Sequence, residues 1–344
     1  MLLNTKKIKK YAKVLISAGI LLISCIGASA QQSWYWEHSA AKSIITRAKL
    51  ERHLEFLSDT LCQGRATGTR GSVEAAFWIC RQFEKAGLLK FGDTYSKHFL
   101  TKNGITGNNI MGMLPASKDG SFISDKYVII GAHYDHLGIL NGKLYPGADA
   151  NASGTVAMTS IAEMMSARHI NGKIYSCNII FIAFDCKEMS RAGSEAVWQL
   201  IESGQLADPI TGKAITKKNI SLMVNIDQIG SVLSPLNPDR KDYLIMLGSE
   251  TLPKIHRSTS TICNRMFALH LDLGFSYYGS KNFTDLFYRL SDQNIFIKNK
   301  IPAILFTSGI TMNNNKTYDN VESLDIEVFQ KRIFLIYHWL DRIL

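Results

Sequence analysis

The chain has 344 residues, 46% of them hydrophobic and 20% charged, the composition of an ordinary packed domain. Its formal charge of +10 is concentrated at one end, because the five lysines of the first thirty residues, with no acid among them, carry half of it. The remainder is weak and scattered, with no basic helix and no alternation of aromatic and basic residues, which excludes a nucleic-acid-binding reading.

Lys6, Lys7, Lys9, Lys10 and Lys13 precede an apolar run, Val14 to Ile26, that is too short to span a bilayer. That is the pattern of an export signal, with Ala28-Ser29-Ala30 before Gln31 as its cleavage site. Leu22-Ile23-Ser24-Cys25 offers an alternative, a bacterial lipobox that would leave a lipid on Cys25. Either way the chain is expected to be exported to the periplasm or beyond, and to meet a membrane only if lipidated at Cys25. Residues 31–344 show no repeat, linker or shift of composition and are expected to form one domain. No later apolar run is long enough to cross a membrane. Cysteines fall at 25, 62, 80, 177, 186 and 263 with no CxxC pair, which argues against a metal-thiolate site.

Along that domain, Ile44, Ile45, Leu50, Leu54 and Leu57 predict an amphipathic helix over about 40–57. A glycine-rich turn at 64–71 leads to a second helix over 72–86, stopped by Gly87. Strands are predicted near 94–101 and 108–114. The apolar run Tyr127 to Ile130 reads as a buried strand that delivers His133 to a sheet edge, with Asp135 placed to take the other imidazole N–H. Pro146-Gly147 then breaks the chain before a helix over 155–168. A strand at 177–184, a helix past Gly193 to about 203, and a strand at 220–226 that presents Asp227 follow. The rest reads as a strand at 243–247, a helix at 252–267, irregular structure at 275–288, a strand at 302–307 and a closing helix at 326–344. Such alternation predicts a three-layer α/β/α sandwich around a mixed, mostly parallel sheet, whose ligands gather at the carboxyl ends of the strands.

Five stretches carry a more specific signal. His133-Tyr134-Asp135 is followed by Gly147-Ala148-Asp149-Ala150-Asn151-Ala152-Ser153-Gly154. Upstream stands Gly64-Arg65-Ala66-Thr67-Gly68-Thr69-Arg70-Gly71, and downstream Phe184-Asp185-Cys186-Lys187-Glu188, Asn225-Ile226-Asp227-Gln228-Ile229-Gly230, and Ser291-Asp292-Gln293 before Ile301-Pro302-Ala303. In this order they resemble the motifs of metallopeptidase family 28, the co-catalytic zinc aminopeptidases related to glutamate carboxypeptidase II and glutaminyl cyclase. Those proteins read GRxTGTxG, HxD, GADDNASG, FDGEE, NxDMxG, SDH and GIPA.

The resemblance implies a two-zinc site, and the departures fall on it. Ala150 stands where the family's bridging aspartate belongs, and Lys187 where its general-base glutamate belongs. Asn315 takes the place of the last histidine if Asn315-Lys316-Thr317-Tyr318-Asp319 is matched to HTPxD. His133, Glu188 and Asp227 remain as ligand positions, with Asp135 behind the histidine. Two ligands at one metal and one at the other are too few for a catalytic zinc, which takes three and an open position. The expectation is therefore an inactive or nearly inactive relative, with zinc absent or weakly held, that keeps a cleft for a peptide or protein N-terminus. One alternative is an active metallo-aminopeptidase in which Asp149 replaces the missing bridge and Asp185 activates water. The other is a glutaminyl cyclase-like acyltransferase, which also depends on an acid at position 150.

Overall fold

The computed structural model describes residues 37–232, 240, 242–277 and 279–344, so the expected export signal and Cys25 lie outside the described residues. Two compact units divide at Ile44. In the first, residues 37–44 form a helix, α1. The second, Ile45–Leu344, holds the remaining elements. The helix expected over 40–57 is interrupted at 45–46, where Thr46 takes an extended backbone and its Oγ1 accepts the Lys49 N–H at 3.3 Å. A side-chain cap of this kind starts a new helix rather than continuing an old one.

That new helix is α2 (Arg47–Ser58), followed by α3 (Arg70–Lys85) and the strands β1 (Leu89–Lys90), β2 (Ser96–Leu100), β3 (Thr106–Leu114) and β4 (Tyr127–His133). A small hairpin, β5 (Gly138–Leu140) and β6 (Lys143–Tyr145), precedes α4 (Gly154–Ile170). Then come β7 (Asn178–Phe184), α5 (Ala192–Glu202), β8 (Ile220–Ile226), β9 (Tyr243–Leu247) and α6 (Lys254–Met266). The chain ends through β10 (Asp272–Gly274), α7 (Lys281–Phe287), α8 (Gln293–Lys298), β11 (Ala303–Thr307) and α9 (Ile326–Ile343). No helix among the described residues is long and apolar enough to cross a membrane.

One large sheet runs β1-β3-β7-β4-β8-β11-β9-β10, with β2 paired to β3. Its centre, β7-β4-β8-β11, is parallel, and antiparallel pairs join that block to β3 on one side and β9 on the other. The expected α/β sandwich is therefore present, with its parallel strands in the middle. β4 and β7 are buried along their whole lengths, as continuous apolar strands must be when both faces are covered. α2, α3, α4, α6 and α9 pack on one face, while α5 and α8 pack on the other. α4 is buried nearly all round, which suits a helix with no polar stripe. On the opposite face Ile129, Ile180, Ile182, Val197, Trp198 and Phe296 belong to one apolar cluster.

The region 275–288, expected to be irregular, contains α7, whose Ser280 hydroxyl accepts the Phe283 N–H. A seven-residue helix has too few turns to show an apolar period, so only its cap marks it in the sequence. Inside the parallel block, Gly131 of β4 leaves room for the buried ring of Phe184. Gly131→Ala is expected to destabilise the fold by about 1–3 kcal/mol through overpacking. An unchanged urea midpoint would show that the ring yields freely.

Candidate active site

Parallel register brings the strand ends together. His133 pairs across to Phe184, and Gly131 to Asn225, so β4, β7 and β8 finish side by side and deliver His133, Asp185 and Asp227 to one sheet edge. His133 is fully buried, and its Nε2 lies 3.4 Å from Asp227 Oδ1. Its Nδ1 faces the Asp135 backbone carbonyl at 3.1 Å and the carboxylate at 3.5 Å. The Asp135 carboxylate is mainly engaged elsewhere: it accepts the backbone N–H of Lys187 and of Glu188, each at 3.0 Å. Asp135 thus sets the turn after β7 as much as it orients the imidazole.

That turn needs Cys186 in a left-handed conformation, φ +60°, and it projects Lys187 back over the strand ends. The Lys187 ammonium donates to Glu188 Oε1 at 2.9 Å, with both side chains about four-fifths buried. Burial opposes a charge there, but the carboxylates of Asp227, Glu188 and Asp135 outweigh it and hold the ammonium above the ordinary lysine range. His133 behaves alike. Burial and the Lys187 charge work against protonation, and Asp227 together with the bond to Asp135 overcomes them, lifting the imidazole to about 10. For Asp227, burial is outweighed by His133 and Lys187, which keep its carboxylate well below the usual range.

The turn that carries Ala150 is held by protein groups. Asp319 accepts the N–H of Asp149 at 2.9 Å and of Ala150 at 3.1 Å. Asn151 donates to the carbonyls of His133 and Ile226 and accepts from the N–H of Gly154 and Gln228. Arg65, fully buried, donates to the carbonyls of Leu57, Tyr134, Pro146 and Gly147. These three residues, with no role assigned to them from the sequence, bind the edges of the site to each other. Asp319 had a signal, since it closes the Asn315 to Asp319 segment. The carboxylate of Asp149 accepts, at one oxygen, from the N–H of Gly230 and Ser231 and the Ser153 hydroxyl. Asp185 is likewise engaged, accepting from Thr67, Asn108 and Cys186.

A cleft of about 100 Å³ opens beside Lys187 and Asp227, with Tyr277, Phe287, Leu305 and Ile310 on its apolar side. Asn314 lines it and accepts from Gln228 Nε2. Asn315, expected at the last histidine position, is exposed, with φ +57°, and is not brought into the cleft. Lys316 is exposed as well. The donor set does not fit a pair of zinc ions: Ala150 offers no donor, and Glu188 is paired with an ammonium. Among the described residues, no group of three or more His, Cys, Asp or Glu is placed to hold a metal ion.

The charges of His133 and Asp227 make stability depend on pH. A histidine raised to about 10 contributes stability that is complete below about 6.5 and lost as pH rises to 10. The depressed Asp227 contributes stability that is present above about 4 and lost in acid. For chelator-treated protein, the loss of stability between about pH 6.5 and 10 is expected to be smaller in Asp227→Asn than in the parent, measured by urea unfolding. Parallel pH profiles would contradict the His133–Asp227 coupling.

Comparison with known proteins accords with this fold. No curated sequence matches the chain. Among solved structures, it is similar to the LapA aminopeptidase of Legionella pneumophila, with 18% identity, a TM-score of 0.65, and coverage of 89% of this chain and 74% of that one. A zinc aminopeptidase from Bacillus subtilis is similar at 18% identity and a TM-score of 0.52, over 70% of this chain and 51% of that one. The glutaminyl cyclase of Porphyromonas gingivalis is similar at 15% identity and a TM-score of 0.60, over 88% of this chain and 99% of that one. The description "Peptidase family M28" matches residues 109–340, and the chain belongs to that family.

Proposed function

We infer that this is an exported member of the peptidase family that no longer hydrolyses peptides and binds an exposed peptide N-terminus in its cleft without turnover. The observation that carries the reading is the Lys187–Glu188 pair, 2.9 Å between Nζ and Oε1, at the position the family resemblance gives to the base and a ligand of the second metal. Three effects point the same way. Ala150 cannot bridge two cations. The ammonium repels a dication and occupies a carboxylate that would bind one. An ammonium held above the lysine range also cannot accept a proton from water near neutral pH, so Lys187 does not replace the missing base.

What survives suits binding. The cleft has an apolar side, Tyr277, Phe287, Leu305 and Ile310, for one side chain, and Asp227 beside it as an acceptor for an amine. An active enzyme with Asp149 as bridge is disfavoured by the bonds that tie this carboxylate to Gly230 and Ser231. A cyclase reading has a similar fold behind it but meets the same gap at Ala150. Export rests on the basic and apolar run before Gln31.

The test is metal content with catalysis. Protein dialysed against zinc is expected to retain substoichiometric metal and to leave leucine p-nitroanilide and glutaminyl peptides unchanged. Ala150→Asp with Lys187→Glu is expected to restore tight zinc, and Asn314→His, on the cleft, is expected to strengthen it more than Asn315→His. Stoichiometric zinc with turnover in the unaltered protein would refute the reading.

A further inference from the structure

A second cavity, about 480 Å³, lies between α3 and the β2–β3 pair, and it shares no lining residue with the cleft at Lys187. Val73, Ala76, Phe77 and Cys80 of α3 form one wall, at the i, i+3, i+4, i+7 spacing of a single helix face. The core-facing stripe of α3 is a different one, through Ala75, Ile79 and Phe83. On the cavity face, Val73 is 65% and Phe77 60% exposed, so a large apolar surface is open to solvent.

Opposite this wall stand polar groups. Ser96, His98, Thr106 and Asn108 line the strand side, His98 being exposed, and Gly68, Ser72, Tyr134 and Asp185 complete the lining. Asp185 is 1% exposed and is the one carboxylate among the lining residues, which include no lysine or arginine. Its carboxylate accepts from the Thr67 hydroxyl and from the N–H of Asn108 and Cys186, all uncharged donors. The buried Oδ1 of Asn108 accepts no hydrogen bond from the described residues. The acid has donors but no lysine or arginine in the lining to balance its charge, and the amide oxygen beside it has no donor, so the pair suits a positively charged donor.

We propose that this cavity binds a small organic amine, with its ammonium directed to Asp185 and Asn108 Oδ1 and its apolar body laid along Val73 and Phe77. Charge complementarity selects the class. An anion would meet the Asp185 carboxylate, and a neutral apolar ligand would leave Asn108 Oδ1 without a donor and the Asp185 charge unbalanced. The exposed Phe77 ring adds a face on which an aryl or alkyl group packs. This site is separate from the Lys187 cleft and stands whether or not that cleft binds zinc or peptide.

The experiment is calorimetric titration of the full chain with 2-phenylethylamine, with 3-phenylpropionate and 2-phenylethanol as controls. Binding of the amine alone is expected, with a raised Tm. Asp185→Asn removes the charge and is expected to weaken the amine about tenfold or more. Because Asp185 also orders the turn after β7, Phe77→Ala serves as the variant at an exposed position, and it is expected to weaken binding several-fold while the Tm of the free protein stays unchanged. Equal binding of the carboxylate, or no binding of the amine, would overturn the proposal. Amine affinity that neither variant alters would place the ligand elsewhere, such as beside Asp227 in the cleft, and would overturn it as well.

Discussion

An ammonium set among carboxylates governs the site. Lys187 pairs with Glu188 and lies in the field of Asp227 and Asp135, and the charges of His133 and Asp227 respond to it. Its presence decides what else can enter. At an effective dielectric of about 20, a dication some 4 Å from an ammonium is repelled by roughly 8 kcal/mol, comparable with a micromolar binding free energy. The pairs His133–Asp227 and Lys187–Glu188 are each neutral when His133 carries its proton, so these two acids have partners of opposite charge.

The same edge keeps its shape through groups that do not depend on a metal. Asn151 makes four hydrogen bonds that tie the strand ends of β4 and β8 to the start of α4. Asp319 reaches back to the N–H groups of Asp149 and Ala150, and Arg65 gathers four carbonyls from three stretches of chain. Leaving any one of these buried groups unsatisfied costs about 1–3 kcal/mol. Several such bonds, acting on the backbone of the same turns, hold the form of this edge with Ala150 and Lys187 in place. The fold thus separates the task of placing the motif residues from the task of binding cations.

The sheet was legible because its central strands are long apolar runs with polar residues at their ends; β8 and β9 match their predicted bounds residue for residue. The hairpin of β5 and β6 was missed despite its signal. Asn141-Gly142, both at positive φ, forms the two-residue turn that hairpins prefer, but it lies within the motif read for chemistry. At the site, His133 and Asp227 could be placed from strand ends alone, and Lys187 and Glu188 from the family's motif. Asn315 could not, because one left-handed residue in a polar loop decides which of two adjacent asparagines faces the cleft. Likewise, the bonds from Asp135 to the backbone at 187 and 188 are tertiary, and no spacing in the chain announces them.

Cys186 shows how strongly those backbone bonds constrain the turn. It occupies the position that reads as glycine in the related motif, yet it keeps φ at +60°, a conformation that costs a residue with a Cβ about 1–2 kcal/mol. The conformation persists because two carboxylates require it: Asp185 accepts the Cys186 N–H at 2.8 Å, and Asp135 accepts the next two N–H groups. A charge-assisted bond of this kind contributes about 1.5–3 kcal/mol, so three together outweigh the strain. The turn after β7 is therefore specified by acids that bind backbone, not by acids that bind metal. That is why the turn can carry Cys186 where the related motif reads glycine while Lys187 still lines the cleft.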